Sequence, residues 1–509
     1  MAFESILCRD SASQKEIAET PVFFIDLNLD QIIDAIVASK QEYNLKPFYY
    51  NPSHDEDTIR YRQEVMQELE NDTLMESIKS FAGKMVATRR YLAMAEKFDF
   101  KNFKEGWLLE AAEVYCEAIT SLAHGLNQAN LKSRGFLAFR DYLAEYASSD
   151  SFSLLLAEIK RLKTELSTIK YSVIINGLTV KVRRYEEETD YSVEVEQTFE
   201  KFKQGVVKDY RAKLYEGSVM SHVEAEILDC VARLYPEIFT NLDNFYLQHS
   251  HFLDETISIF DREIQFYIAY LEFISKFKRA GLKFCYPQIS STSKEIYDYE
   301  GFDLALANKL ISEGSSVVCN DFYLKHQERI FVVSGPNQGG KTTFARAFGQ
   351  LHCLACLGCP VPGREARLFV FDRLFTHFEK AENIKDLRGK LEDDLVRIYD
   401  ILSQATPNSI IIINEILTST TLKDAVFLSK EVMERLIRLD VLGVWVTFVE
   451  ELASFSEKTV SMVSTVTPEN PAVRTFKIMR KPADGLSYAI AIAEKYRVTY
   501  KSLKERIRS

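Results

Sequence analysis

The sequence lacks any apolar run long enough to cross a lipid bilayer, which needs about 20 residues in a helix. The most apolar stretches, such as residues 409–413, are much shorter. The first residues carry neither the basic start nor the apolar core of a secretory signal peptide. We therefore predict no contact with a membrane and a cytoplasmic location.

An excess of positive charge is also missing, because the formal net charge is −11. This charge argues against a protein that binds nucleic acid over its whole surface, although it leaves room for a local basic patch. With 509 residues, of which 46% are hydrophobic and 27% charged, the chain has a globular composition and is too long for one ordinary core. We therefore predict a multidomain protein.

Cysteine gives only a weak indication of a metal site. Cys353, Cys356 and Cys359 have a spacing that occurs in iron–sulfur and zinc sites. No fourth ligand lies nearby in the sequence, and the surrounding residues have the pattern of a buried helix. We therefore predict buried thiols, because free cysteine packs as a small hydrophobic residue.

The first half of the chain has the pattern of long helices, with apolar residues at three- and four-residue spacing and few glycines. The predicted helices cover residues 60–80, 110–126, 152–166, 221–247 and 253–278.

Two β-rich runs interrupt this helical pattern, at residues 171–175 and 178–182. Asn176-Gly177 lies between them, and this pair accepts the positive φ angles of a two-residue hairpin turn. We predict an all-α domain over residues 1–290, with a small β-hairpin insertion at about residues 169–190.

Strands and helices alternate in the second part of the chain, residues 291–509. The predicted strands and helices, in chain order, cover residues 330–334, 341–357, 368–375, 391–404, 409–413, 422–439 and 444–448. This alternation predicts an α/β domain with a mainly parallel sheet that helices cover.

A glycine-rich loop follows the first of these strands and fits the pattern G-x-x-x-x-G-K-[ST]. It lies between a strand and a helix, where backbone N–H groups and the helix N-terminus can hold phosphates. Lys341 would reach the β- and γ-phosphates, and the Thr342 hydroxyl would ligate magnesium. We predict that ATP with Mg²⁺ binds Gly335, Pro336, Asn337, Gln338, Gly339, Gly340, Lys341, Thr342 and Thr343.

An acidic residue at the end of a neighbouring apolar strand would complete the site. Glu415 follows the run at residues 410–413 and is the candidate catalytic carboxylate that polarises the attacking water. Asn414 takes the position at which an aspartate usually holds the magnesium shell. An amide oxygen can accept a hydrogen bond from a metal-bound water but carries no charge, so we expect weaker metal retention and slow hydrolysis.

These motifs resemble the MutS family of DNA mismatch-repair ATPases, which belong to the ABC-type ATPases. Residues 335–343 are similar to the family's GPNxGGKST loop. Further similarities lie at Asn320-Asp321 and at residues 372–376, 414–416, 419–421 and 486–488, and weaker ones at residues 26–30 and 61–64.

The resemblance implies an ABC-type ATPase domain over residues 291–509 and a helical core with lever helices before it. It also implies a homodimer in which two ATP molecules are bound between the subunits. It further implies that the lever helices hold DNA without sequence specificity. The hairpin then stands in the place of the clamp. Its candidate contacts to DNA phosphates are Lys170, Lys181, Arg183 and Arg184, and the alternative is a solvated surface, since glutamates are interleaved.

Several residues depart from the family pattern. Besides Asn414, Phe448 stands where the family has the histidine of a Thr-His pair. The signature segment, which contacts ATP across the dimer, aligns with residues 387–391 and places Gly389 at the position of its serine. Arg388 or Lys390 is the candidate contact to the γ-phosphate instead, with a solvated basic turn as the alternative.

Direct mismatch recognition is not expected. Mismatch-sensing members of the family begin with a domain that carries a Phe-x-Glu motif, for which this sequence has no room. Phe103-Lys104-Glu105 matches the motif but lies among predicted helices.

The main hypothesis is a slow ATPase that couples its nucleotide state to clamp-like binding of duplex or branched DNA. The alternatives are a nucleotide-gated scaffold with little turnover and an ATPase that acts on structured RNA or a ribonucleoprotein.

Overall fold

The computed structural model describes residues 3–9, 19–97, 99–177, 179–187, 198, 222–379, 389–467, 470–483 and 498–508. Contacts between Cα atoms divide the chain into two compact units. The first, which we call the sheet unit, comprises Met1–Asp72, Leu131–Phe139 and Ile259–Ser509. The second, the helical unit, comprises Thr73–Asn130 and Arg140–Ser258.

This division differs from the predicted boundary at residue 290, because the N-terminal residues belong to the sheet unit. The main-chain oxygen of Leu27 accepts a hydrogen bond of 2.8 Å from Gln350 in the helix that follows the glycine-rich loop. Thr376 donates a hydrogen bond of 2.7 Å to Asp26. A segment far away in the sequence therefore packs against the predicted nucleotide-binding part.

The helices are numbered along the described part of the chain. Their bounds are α1 Phe23–Asp26, α2 Leu29–Val37, α3 Lys46–Tyr50, α4 Glu56–Glu68, α5 Asp72–Lys97, α6 Lys101–Gln128, α7 Arg134–Ala147, α8 Asp150–Ser167, α9 His222–Leu234, α10 Pro236–His249, α11 Glu255–Arg279, α12 Leu304–Ser312, α13 Lys341–Cys356, α14 Lys390–Gln404, α15 Leu422–Leu439 and α16 Tyr500–Arg508. Short 3₁₀-helices lie at Gln41–Tyr43 and Glu450–Ser454. None of these described helices combines the length and the apolar character that a bilayer span requires.

The strands are numbered in the same way. Their bounds are β1 Tyr171–Asn176, β2 Thr179–Arg184, β3 Phe284–Cys285, β4 Gln288–Ser290, β5 Ile296–Gly301, β6 Asn320–Leu324, β7 Ile330–Ser334, β8 Val361–Pro362, β9 Glu365–Phe369, β10 Leu374–Phe378, β11 Ile410–Asn414, β12 Leu442–Val446, β13 Thr459–Thr467 and β14 Asn470–Arg480.

Two predicted helices are each divided in the structure. Residues 60–80 fall in α4 and α5, which are separated at residues 69–71. Residues 221–247 fall in α9 and α10, and the break lies at Tyr235, before Pro236. Proline lacks a backbone N–H and disfavours the helical conformation of the residue before it, but it fits the first turn of a new helix.

The predicted strand at residues 368–375 is wrong as a single element, because it is β9 and β10 in two different sheets. The chain crosses from one sheet to the other at residues 370–373. The carboxylate of Asp372 accepts hydrogen bonds from Thr406 and Ser409 at this crossing. A polar residue inside an apolar run therefore marks the end of a strand.

A six-stranded sheet forms the centre of the sheet unit, with the order β10-β11-β12-β7-β13-β14. The pairs are parallel except β13 with β14, which is antiparallel. The prediction of a mainly parallel sheet is therefore confirmed. Strands β7, β11 and β12 are buried along their whole length, as expected for parallel strands that helices cover on both faces.

Parallel strands place their carboxyl ends on one edge of a sheet, where open α/β sheets bind ligands. The glycine-rich loop follows β7, and Asn414-Glu415 lies at the end of β11, with β12 between the two strands. The topology therefore brings the two predicted parts of the nucleotide site to one edge.

Two further sheets belong to the same unit and were not predicted. One has four strands in the order β4-β9-β5-β6, and the other pairs β3 with β8. Their strands are short or irregular, and β5 carries a bulge between Asp298 and Gly301. Such short segments show little periodicity in the sequence.

In the helical unit, β1 and β2 pair in antiparallel fashion, which confirms the hairpin, but the predicted turn pair is wrong by one residue, because Asn176 is the last residue of β1. Gly177 has a φ of 62°, as the turn requires. The ladder joins Tyr171 with Arg184 at one end and Asn176 with Thr179 at the other. Phe103, of the Phe-x-Glu match, lies inside α6 and packs edge-on against Trp107 with 5.7 Å between ring centroids.

Candidate nucleotide site

The glycine-rich loop turns sharply between β7 and α13. Gly340 has a φ of 90° and caps the N-terminus of α13, a conformation that L side chains rarely adopt. Gly339 is restricted by space instead, because a Cβ atom at this position would lie 2.1 Å from Ser464 Oγ. The backbone N–H groups at the start of α13 are therefore kept close to the strand edge, where they can face phosphate oxygens.

Lys341 is buried under this loop, with only 6% of its surface exposed. Its Nζ donates to the carbonyl oxygen of Gly335 at 2.8 Å and to Oδ1 of Asn337 at 3.2 Å. The same nitrogen lies 3.5 Å from Glu415 Oε1. Burial lowers the pKa of Lys341, and the neighbouring Glu415 carboxylate opposes this effect.

Thr342 and Asn414 meet at the predicted magnesium position. The Thr342 hydroxyl donates a hydrogen bond of 3.0 Å to Asn414 Oδ1, and Asn414 is 8% exposed at the end of β11. Both side chains offer oxygen atoms, the donor type that Mg²⁺ prefers. The pair therefore fits the oxygen donors that magnesium prefers; Thr342 would be a direct ligand, and Asn414 would bind a metal-bound water.

Glu415 starts a turn of unusual backbone conformation. Its φ is 52° and that of Leu417 is 60°, both in the left-handed region that non-glycine residues rarely occupy. The amide of Glu415 donates to the carbonyl oxygen of Val446 at 2.9 Å, which ties the turn to β12. The Glu415 side chain is 34% exposed, so a water molecule can reach its carboxylate.

Asp394 supports the same turn from α14, and the sequence analysis did not identify it. Its Oδ2 accepts a hydrogen bond of 3.1 Å from the backbone N–H of Leu417. His377 of β10 lies beside it, with 3.5 Å between Nε2 and Asp394 Oδ1. Burial raises the pKa of Asp394 and lowers that of His377 to about 4. The imidazole is therefore neutral near pH 7.

The profile of MutS domain V matches residues 331–505 of this chain. Residues 331–505 are therefore similar to a MutS domain V. It is 33% identical to the DNA mismatch repair protein MutS of Zymomonas mobilis over 161 residues, which are 30% of this chain and 18% of that protein. It is 28% identical to the MutS of Orientia tsutsugamushi over 218 residues, which are 42% of this chain and 24% of that protein.

A third relative, the MutS of Halalkalibacterium halodurans, is 30% identical over 184 residues, 35% of this chain and 21% of that protein. The similarity thus covers between 18% and 24% of the length of these three relatives. This similarity to MutS proteins agrees with the motifs, and the glycine-rich loop lies within the matched residues.

The predicted signature segment, residues 387–391, is described only in part, since residues 380–388, including Arg388, lie outside the described residues. Gly389 is exposed and precedes the first turn of α14. The ammonium of Lys390 pairs with Glu379 of the same chain. This ion pair favours the alternative in which Lys390 belongs to a solvated turn. The motif at residues 486–488 also lies outside the described part.

Phe448, two residues after β12, is 48% exposed. Thr447 before it is buried, and its hydroxyl oxygen accepts a hydrogen bond of 3.0 Å from the amide of Val449. An aromatic hydrocarbon ring cannot donate or accept the hydrogen bonds of an imidazole. The position therefore cannot contribute polar contacts to a phosphate.

The β13–β14 hairpin reaches the glycine-rich loop, which the sequence analysis did not foresee. Ser464 Oγ donates to the carbonyl oxygen of Gly339 at 2.7 Å, and Arg474 Nε donates to that of Asn337 at 3.2 Å. Asn320, from the predicted Asn-Asp pair, binds the same hairpin through Phe476 and Ile478. These contacts join residues more than 120 positions apart, so no local pattern reveals them.

The four basic residues of the β1–β2 hairpin differ in their surroundings. Lys170 and Lys181 are exposed, whereas Arg183 is half-buried. Arg184 donates a hydrogen bond of 2.6 Å to the carbonyl oxygen of Leu234 and lies 5.0 Å from the centre of the Tyr235 ring. Arg184 thus has partners within the helical unit, and the two lysines are the better placed contacts for an anionic partner.

The three cysteines that follow the loop are fully buried, as predicted. Burial raises the pKa of the Cys356 thiol to about 12, so the group stays protonated near pH 7. Among the described residues no group of three or more side chains is arranged to hold a metal ion. Cys353 and Cys356 lie on the buried part of α13, and Cys359 lies three residues after its end.

Proposed function

We propose that this chain is a slow, magnesium-dependent ATPase whose nucleotide state controls binding to DNA. The observation that carries the proposal is the set of contacts at the sheet edge. Lys341 lies between the loop and Glu415, and Thr342 is bonded to Asn414. This set contains a phosphate-binding cation, oxygen donors for Mg²⁺ and a carboxylate that water can reach.

The chemistry follows from the positions of these groups. Lys341 would exchange its contacts with loop carbonyls for the β- and γ-phosphates of ATP. Glu415 would then lose its ammonium neighbour to the phosphates and could orient an attacking water. Mg²⁺, when bound, would neutralise phosphate charge, but Asn414 supplies no negative charge to retain it. Slow turnover is the expected consequence.

The proposed partner is DNA, and the proposed assembly is a homodimer. Each MutS relative named above is described as a DNA mismatch repair protein. The exposed Lys170 and Lys181 on the β1–β2 hairpin support backbone contacts without sequence specificity. The lever and clamp roles of the helical unit belong to the same proposal.

A nucleotide-gated scaffold with little turnover is the second candidate. It is supported by the neutral Asn414, the exposed hydrocarbon ring of Phe448 and the pairing of Lys390 with Glu379. Each of these features removes a charge or polar contact that hydrolysis could use. ATP binding is common to both candidates, and only turnover separates them.

The first experiment measures ATP affinity by calorimetry for the wild type and Lys341→Ala. We expect a loss of roughly 100-fold or more, because the cation bonds to charged phosphate oxygens. Lys423→Ala is a matched control, since Lys423 is an exposed lysine in the first turn of α15. Equal affinity of wild type and Lys341→Ala would refute nucleotide binding in this loop.

The second experiment measures phosphate release with no nucleic acid, duplex DNA, a DNA junction and structured RNA. Stimulation by DNA that is lost in Glu415→Gln supports the ATPase. ATP binding without release in every sample supports the scaffold. Stimulation of phosphate release by RNA but not by DNA would indicate that RNA is the partner.

A further inference from the structure

Two cations, Lys341 and Arg474, donate hydrogen bonds to the same residue of the glycine-rich loop, Asn337. Lys341 Nζ donates to the side-chain oxygen of Asn337 at 3.2 Å. Arg474 Nε donates to the main-chain oxygen of Asn337, also at 3.2 Å. Lys341 is the first residue of α13, whereas Arg474 lies on β14. The fold therefore brings the two cations to one residue, and the glycine-rich motif alone does not predict this.

Lys341 and Arg474 thus bring two positive charges to one residue of the loop. Like charges near one loop destabilise each other unless a negative group lies between or beside them. Glu415 lies near Lys341, at 3.5 Å, but a triphosphate would offer several more negative oxygens.

From this arrangement we propose that Arg474 is a second phosphate-contacting cation, supplied by the same subunit, that recognises the γ-phosphate and so distinguishes ATP from ADP. The inference rests on the proposed nucleotide binding and deepens it. Arg474 would keep its bond to the Asn337 carbonyl through Nε and approach the phosphate with its terminal N–H groups. A guanidinium has five N–H donors in a planar fork, which suits this double use.

The γ-phosphate is the part of the nucleotide that this position favours. In such loops the backbone N–H groups surround the α- and β-phosphates, and the lysine extends to the β- and γ-phosphates. Arg474 binds the loop at Asn337, the residue whose side chain also contacts the ammonium of Lys341. Asn337 lies three positions before Gly340, which caps the N-terminus of α13. A cation at that point adds positive charge beside the end of the triphosphate.

The same arginine offsets two weaknesses of the site. Asn414 brings no negative charge for magnesium, so less metal charge is available to neutralise the γ-phosphate. Phe448 offers no polar contact where the family has a histidine. A fixed guanidinium beside the loop supplies positive charge that depends neither on the metal nor on the partner subunit.

The test compares the affinities for ADP and for a non-hydrolysable ATP analogue, each with Mg²⁺, in the full-length protein. We expect Arg474→Ala to weaken binding of the ATP analogue by about 10-fold or more and that of ADP by about 2-fold or less. Arg474→Lys should retain part of the preference for the ATP analogue, because it keeps the charge without the fork. Lys477→Ala is the matched control, a cation of the same strand that donates to Cys319 instead of the loop.

Each outcome has a definite meaning. Selective loss of the ATP analogue in Arg474→Ala, with Lys477→Ala unchanged, supports the proposal. Equal weakening of both nucleotides would show that Arg474 only shapes the loop and would overturn it, as would no change in either affinity. If Lys341→Ala still weakens both nucleotides in those cases, the proposed nucleotide binding survives. If the wild type binds neither nucleotide, both proposals fall.

Discussion

The carboxyl group of Asp394 offers the sharpest test of how the Glu415 turn is held. Its Oδ2 is the acceptor for the buried N–H of Leu417, at 3.1 Å. Glu415 and Leu417 both have positive φ, and such a conformation costs a non-glycine residue on the order of 1 kcal/mol each. The turn therefore persists because its surroundings hold it, and Asp394→Ala removes one of the two ties.

The size of the effect follows from the burial of the contact. Leu417 is fully buried, so its amide cannot turn to water when the acceptor is removed. An orphaned buried donor costs about 1–3 kcal/mol, and we expect Asp394→Ala to lower the free energy of unfolding by about 2 kcal/mol. Asp394→Asn keeps an oxygen at the same place and should cost less than about 1 kcal/mol. Asp393→Ala is the control, because Asp393 is exposed on the same turn of α14.

Function should respond in a characteristic way. Relaxation of the turn would displace the Glu415 carboxylate, and a displacement of about 1 Å can lower a catalytic rate by roughly 100-fold. The loop and Lys341 are not touched, so ATP affinity should stay within about 3-fold of the wild type. Urea denaturation and single-turnover hydrolysis measure the two effects. Turnover at the wild-type rate in Asp394→Ala, or an equal loss of turnover in Asp393→Ala, would refute the reasoning. An unchanged free energy of unfolding in Asp394→Ala would show that the hydrogen bond to Leu417 does not stabilise the protein.

Three more predictions concern the site and its support. Asn414→Asp places a carboxylate beside the Thr342 hydroxyl and should tighten Mg²⁺ binding in the ATP complex by about 10-fold and raise turnover, as a magnesium titration would show. Gly339→Ala brings a methyl group to 2.1 Å from Ser464 Oγ and should weaken ATP binding at least about 10-fold in calorimetry, with partial rescue by Ser464→Ala. Burial alone would raise the pKa of Asp440, but hydrogen bonds from Lys458, Lys294 and Arg329 outweigh it and hold that pKa at about 2. Because the folded pKa lies below the ordinary aspartate value of 3.8, this stabilisation is present above about pH 4 and is lost as the pH falls towards 2. After allowance for solvent screening, Asp440→Asn should cost about 1 kcal/mol at pH 7 and much less at pH 2.5, and an equal cost at both pH values would contradict this assignment.

The elements that carry the nucleotide loop could be predicted because their pattern is local. β7 and α15 were placed at their observed bounds, and α14 within one residue, since a buried parallel strand and an amphipathic helix each repeat over many residues. The prediction of one strand at residues 368–375 was wrong because it also relied on a local pattern, in this case an apolar run. This apolar run continues across the point at which the chain changes from one sheet to the other. Asp372 marks this point, where its carboxylate accepts hydrogen bonds from a loop more than 30 residues away.

The groups around the predicted site could not be predicted, because they come together only in three dimensions. Arg474 and Ser464 meet the loop through a β-hairpin more than 120 residues downstream, and Asp394 meets the Glu415 turn through a side chain that no motif names. A sequence motif indicates which atoms bind phosphate, since glycine, lysine and threonine have that chemistry wherever they occur. It does not indicate which neighbours fix a left-handed turn or add a second cation. Those neighbours decide whether the loop only binds ATP or also distinguishes it from ADP, and for that reason Arg474 and Asp394 are the residues to change first.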